Sequence, residues 1–169
     1  MSTLLTSVVR APHPMLSTAA APVDPTSSET LRLVDALTAT MRDCAGCVGL
    51  AAPQIGQPYR VFVVDVTGHP KAATGHGLLA LCNARVVCAS RWHTGREGCL
   101  SVPDLTGDVK RAGRLVVAGE LPGSGAPVEL TAEGYEARAL QHEIDHCAGL
   151  LFLDRVRDAR GVHARRVYL

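Results

Sequence analysis

The chain has 169 residues, 47% of them hydrophobic and 20% charged, with a formal net charge of +1. That is the size and make-up of one globular domain with a real core, taken here as residues 1–169. The near-neutral charge gives no global pull toward nucleic acid or an acidic membrane, no apolar stretch is long enough to span a bilayer, and "MSTLLTSVVR" does not read as a signal peptide.

The six cysteines are too few and too unevenly spaced for a disulfide scaffold, which points to free thiols or thiolate ligands in a reducing cytoplasm. Along the chain, "APHPMLSTAAAPVDPTSS" is rich in proline and small residues and reads as an extended arm wrapping the domain. A helix follows. Thr26 and Glu29 have capping-box spacing, and Leu31, Val34, Leu37 and Met41 form an apolar stripe. "CAGCVG" ends the helix, with Gly46 as C-cap. The C-x-x-C of Cys44 and Cys47 is compatible with a redox pair or half a zinc site. No second close pair follows, and two small residues at a helix end is the simpler reading. "YRVFVVDV" is a strand rich in β-branched residues, "TGHPKAATGHG" a polar loop, and "LLALCNARVVCASR" one strand or two short ones. "RLVVAGEL", "PGSGAP" and "VELTA" read as a hairpin with a longer loop. From about Ala132 a helix carries "EGYEARALQHEIDHCAG" and stops at Gly149, before a short basic tail, "RGVHARRVYL". The fold class is α+β, with short antiparallel strands packed around a central helix carrying "HEIDH".

"QHEIDH" carries the chemistry. His142 and His146 are four apart, about 40° around a helix axis, so both imidazoles can face one ion. Glu143 follows the first of them, positioned to act on a water the metal activates. A chance match on a solvated helix competes with this. Apolar Ala139, Leu140, Ile144, Leu150 and Leu151 argue for burial instead, where unpartnered His and Glu are costly. The third ligand decides the class. Phe152 stands where one group of zinc proteases has its last histidine, and no glutamate follows His146. His163 in the basic tail and Cys99 in "EGCLS" remain. A thiolate with two imidazoles leaves one tetrahedral position open, as a catalytic site requires.

"CVGLAAPQ" (47–54), "EGCLS" (97–101) and "QHEIDH" (141–146), in this order, resemble the three signature motifs of the peptide deformylases. The likeness runs from "HPML" to "GLLFLDR". It implies a metal-dependent hydrolase that removes the N-formyl group from the initiator methionine of nascent polypeptides and releases formate. It also implies a transient ribosome contact, no membrane and no specific nucleic acid. Cys99, His142 and His146 match the family's ligands for one divalent ion, Fe2+ with Zn2+, Ni2+ or Co2+ as substitutes. Glu143 matches the general acid/base, and Gln54 and the backbone N–H of Leu100 match the oxyanion donors. Val48, Gly49, Gly98, Tyr135, Arg138 (through its stem) and Ala139 match the groups around the substrate. Gly49, Ala51 and Ala52 leave room for a peptide added as a strand. Asp145 and Gln141 either support the site from behind or lie on the helix surface; the supporting role is preferred for Asp145 alone, with Arg111 as its ion partner from the family pattern.

The chain departs from the family pattern at a few places. Cys47 stands for a glycine, Thr106 for an arginine that helps hold the peptide, and Cys147 for a leucine; the stretch after Arg155 is short. These bear on substrate affinity and ribosome contact and leave the chemistry in place. A deformylase or amidase with a specialised substrate, or an inhibitor-resistance copy, shares the same residues. A non-catalytic metal protein would need neither Glu143 nor Gln54.

Overall fold

The computed structural model describes residues 5–166; the first four residues and the last three of the basic tail lie outside them. Among the described residues the order is α1 (Ser28–Asp43), β1 (Gly49–Ala51), β2 (Val61–Val64), β3 (Leu79–Cys99), β4 (Val102–Glu120), β5 (Pro127–Glu133), α2 (Gly134–Cys147) and β6 (Val162–Ala164). Short 3-10 turns cover Pro14–Ser17, Ala52–Ile55, Phe152–Arg155 and Ala159–Gly161. All strand pairs are antiparallel, in the order β1-β2-β3-β4-β5, with β6 added to β4.

β2 shows how the layers form. Its four residues are all buried, and alternation sends them to two faces. Val61 and Val63 meet Leu37 and Met41 of α1, with Leu50 and Ile55. Phe62 and Val64 meet Ala137 and Leu140 of α2, with Leu81, Leu115 and Val117. The sheet therefore lies between two helices, and α2 is buried along almost its whole length, as its apolar flanks predict.

Several boundaries differ from the sequence reading. The N-cap of α1 is Ser27, whose hydroxyl accepts from Thr30 N–H at 3.1 Å. Thr26 bonds Asp24 instead, so the capping-box pair is one residue out of step. α1 ends at Asp43 with Cys44 as C-cap; Gly46, at φ 74°, makes the following turn rather than the cap. α2 starts at Gly134, because Ala132 and Glu133 still pair with β4. β3 and β4 are far longer than the pattern suggested and run through "RWHTGREG" and "PDLTGDVKR". Register shifts interrupt them at Cys82/Arg85, Val86/Cys88 and Gly98/Cys99.

Two of these features position the site. At the last shift Gly98 faces Thr106 but Cys99 faces Val102, so the strand end is re-aimed just before the Leu100–Ser101 turn. The N-terminal arm then stitches the pieces together. Val9 N–H bonds Gln54 C=O at 2.8 Å, Ala11 N–H bonds Ser101 C=O at 2.9 Å, and Ala20 N–H bonds Cys147 C=O at 2.9 Å.

Candidate metal centre and active site

Three side chains from two elements converge on one buried point. β3 delivers Cys99 at its bulged end, and α2 delivers His142 and His146 from successive turns. Cys99 Sγ lies 3.3 Å from His146 Nε2, which lies 3.2 Å from His142 Nε2. The three ligand atoms fall within 4.8 Å of one another. A tetrahedral ion with bonds of about 2.0–2.3 Å separates its ligand atoms by roughly 3.3–3.7 Å, so this donor set fits one such ion with little adjustment. His163, the other ligand candidate, is elsewhere, with Nε2 2.9 Å from Asp108.

The far side of His142 is fixed by Glu97. The Nδ1–Oε2 distance is 2.9 Å. Glu97 also accepts from Arg111 (Nε, 2.9 Å; Nη2, 3.1 Å) and from Arg138 Nη1 (2.8 Å). Burial pushes its pKa up, but His142 and Arg111 outweigh that and hold it down at about 2. An ionised Glu97 can only accept, so Nδ1 carries the proton and Nε2 turns its lone pair toward the ligand cluster. Arg111 continues the chain to Asp145 at 2.6 Å, and Arg155 closes on Asp145 at 2.8 Å. The expected Arg111–Asp145 pair is therefore present. Gln141 is tied to Ala112, accepting at 3.0 Å and donating at 2.9 Å, which pins α2 to β4.

Sequence reasoning assigned Glu97 nothing, although it lies two residues before Cys99 and so on the same face of β3. It also read Arg138 only through its stem. The guanidinium is buried and bonds Glu97 and the carbonyls of Val109 (3.0 Å), Gly95 and His93.

Glu143 faces the same pocket. Its Oε2 is buried without a hydrogen-bond partner among the described residues, an arrangement that costs free energy unless something arrives to use it. Burial pushes its pKa up to about 7, and a cation at the three ligands would draw it back down. On His142, burial opposes a charge, but Cys99 and Glu97 outweigh it and push its pKa up. On His146, burial pushes it down. Gln54 completes the ring. Its Oε1 accepts from Ala51 N–H at 3.0 Å, which orients the amide, and its Nε2 points at Cys99 Sγ (3.4 Å) and Ser101 Oγ (3.2 Å).

One pocket contains nearly all the predicted residues: Val48, Gly49, Gln54, Gly98, Cys99, Leu100, Tyr135, Arg138, Ala139, His142 and Glu143, joined by Cys47, Glu97, Arg96 and Arg165. Tyr135 stacks on His69, with ring centroids 4.2 Å apart. The reading of "GLAA" needs correction. Ala51 and Ala52 are fully buried and pack to opposite sides of the sheet, so they leave no room in the groove. A Cβ on Gly49 would sit 2.5 Å from Glu143 Oε1, so the glycine makes room for the glutamate. The edge itself is available. β1 is the last strand of the sheet. Val48 C=O accepts from Asp65 N–H on the β2 side (2.8 Å), so alternation turns the polar groups of Gly49 outward. Among the described residues, no helix is long and apolar enough to cross a membrane.

Residues 5–161 match the family described as polypeptide deformylase. The chain is 46% identical to the peptide deformylase of Halothermothrix orenii over 143 residues, which is 85% of this chain and 88% of that one. It is 46% identical to the peptide deformylase of Pelotomaculum thermopropionicum over 130 residues, 77% of each. Among solved structures, the peptide deformylase of Thermotoga maritima superposes with a TM-score of 0.81 at 32% identity, covering 91% of this chain and 99% of that one. The Met-Ala-Ser-bound class I type b peptide deformylase of Acinetobacter baumannii gives a TM-score of 0.83 at 34% identity, covering 92% and 100%.

Proposed function

The chain belongs to the peptide deformylase family, and from that membership we propose that it hydrolyses the formyl amide of formyl-methionyl nascent peptides. Water adds to the formyl carbon, the C–N bond breaks, and formate and a free α-amine result. The convergence of Cys99, His142 and His146 beside Glu143 and Gln54 in one pocket supports this most directly.

A divalent ion bound there would supply Lewis acidity toward the formyl group and the attacking water. The chain's residues do the rest. Cys99, His142 and His146 would hold the ion, and Glu97 sets the tautomer of His142. Glu143 takes a proton from the attacking water and gives one to the leaving nitrogen, a role worth about 10²–10⁴-fold. The Gln54 side-chain N–H and the Leu100 backbone N–H receive the oxyanion, each worth roughly 3 kcal/mol of barrier. Val48, Tyr135, Arg138 and Ala139 surround the methionine side chain. Gly49 and Gly98 flank the backbone of a peptide added at the free edge of β1.

We assign one ion per chain, Fe2+ with Zn2+, Ni2+ or Co2+ as substitutes. The protein works as a single catalytic domain in the cytoplasm with a transient ribosome contact, and it uses neither membrane nor specific nucleic acid. The test is formate release from formyl-Met-Ala-Ser against formylated peptides with other first residues, using anaerobically purified protein of measured metal content. Preference for the methionyl peptide is the expected result. Equal or greater turnover of the others would move the chain to a specialised amidase. Air should inactivate the iron form and nickel should restore activity; a zinc form that is fully active and indifferent to air would remove iron from the assignment.

A further inference from the structure

The C-terminal strand β6 brings a cation to the mouth of the pocket. β6 pairs with β4 at Leu105–Ala164, Thr106–His163 and Gly107–Val162. Arg165 N–H then bonds Asp104 C=O at 2.9 Å, and His163 bonds Asp108 at 2.9 Å. Arg165 is therefore set by a strand. Its guanidinium lies against Gly98, where a Cβ would collide with Nη2. It lines the catalytic pocket beside Cys99 and Leu100, and also an adjoining basin with Arg96, Thr106 and His163.

The charges there do not balance. Asp108 is the acid of this group, and Arg96 occupies it at 2.7 Å while also bonding Thr106 at 3.3 Å. Arg165 is exposed and has no acidic partner among the described residues. An unpaired planar fork of donors at a peptide site's exit suits a carboxylate.

We propose that Arg165, with Arg96 beside it, is a specificity-determining clamp for a carboxylate on the substrate downstream of formyl-methionine. The proposal rests on the deformylase reading. It makes the cationic basin the place where the chain following the scissile amide is read.

The experiment compares formyl-Met-Ala-Ser with a free C-terminal carboxylate and the same peptide as its C-terminal amide. The wild type should favour the acid by about three- to fivefold in kcat/KM, the size of an exposed ion pair. The difference should lie in KM and shrink at high salt. Arg165→Ala should abolish the preference with kcat within about twofold, and Arg165→Lys should restore part of it. Equal KM for acid and amide in the wild type would overturn the clamp, as would an acid preference that survives in Arg165→Ala. Metal content is measured on each variant; if Arg165→Ala loses metal, the wild-type preference and its salt dependence still decide. A metal-loaded wild type that releases formate from neither peptide would fail the deformylase reading itself, a separate outcome from active enzyme indifferent to the carboxylate.

Discussion

The two helices pack on opposite faces of β2 and bury different things. α1 buries Leu37 and Met41 against Val61, Val63, Leu50 and Ile55, with two threonines as its polar buried residues. α2, two residues shorter (14 against 16), buries His142, Glu143, Asp145 and His146, and draws Glu97 and Arg111 in with them. Apolar burial stabilises by about 25 cal/mol per Å2 and asks little of geometry. Buried charges cost desolvation and are tolerable only when each is met by partners. The α1 side therefore holds the fold, while the α2 side spends stability on orientation. Changes to α2 should remove chemistry first, and changes to α1 should remove stability alone.

The strongest test of that division is Glu143→Gln. It should keep the metal and the fold and lower turnover by about 10²–10⁴-fold. The pH dependence follows from the same residue. In its proposed role as base Glu143 works deprotonated; burial pushes its pKa up to about 7, and a bound cation moves it lower. Wild-type kcat/KM of the metal-loaded enzyme should thus fall with pH through a midpoint displaced below about 7 by the cation, and the variant should lack that limb. Protonation of His142 also opposes metal binding in acid, so metal content must be measured at each pH. A variant with wild-type turnover would mean that the unpartnered carboxylate of α2 is not the base.

Glu97→Ala comes next. It leaves Arg138 without its carboxylate and frees the His142 ring. Loss of one partner from a buried charge group costs about 3–5 kcal/mol. Loss of the group orienting a metal-binding histidine costs about 10–100-fold in metal affinity. Calorimetry and metal titration should both register the change. Unchanged affinity with lowered stability would make the network a purely structural one. Leu37→Ala, in the α1 layer, should cost about 2–5 kcal/mol and leave kcat/KM and metal content untouched at temperatures where the protein stays folded. A catalytic defect in folded Leu37→Ala would break the division between the two sides.

The legible part of this molecule was local. His142 and His146 declare themselves by spacing on one helix, and the buried face of α2 by its apolar flanks. The class of fold follows from the order of strand and helix patterns along the chain, and the β2 strand from its β-branched residues. What was hidden depends on long-range pairing. The partners of Glu97 lie 14, 41 and 45 residues away, so no window of sequence contains the network. The extension of β3 and β4 through "RWHTGREG" was masked by glycines and charges that strands usually avoid, and that two mutually paired long strands tolerate. Gly49 was recognised as necessary for the wrong reason, since what fills its missing Cβ space is a side chain 94 positions later.

The smallest expected effect belongs to Cys47, at the seam between the two sides. The thiol donates to Gly49 C=O at 3.1 Å. Burial pushes its pKa up to about 12, so it stays a thiol and a donor. That carbonyl points away from β2, toward the edge where a peptide would add. An incoming N–H must therefore compete with the thiol, a weak donor. Cysteine is tolerated here because φ at 47 is not among the positive values; the left-handed residue of this turn is Gly46. Cys47→Gly should lower KM by about two- to threefold, since a neutral hydrogen bond is worth about 0.5–1.5 kcal/mol and this one lies at the weak end. kcat should not move, because the thiol bonds a backbone carbonyl of the peptide edge and neither the base nor the oxyanion donors. Cys44→Ala should be silent in both constants. The measurement is steady-state kinetics with metal analysis under reducing conditions. A fall in kcat at constant KM would tie Cys47 to the chemistry of α2. Loss of a metal equivalent in either variant would make Cys44 and Cys47 a second metal site.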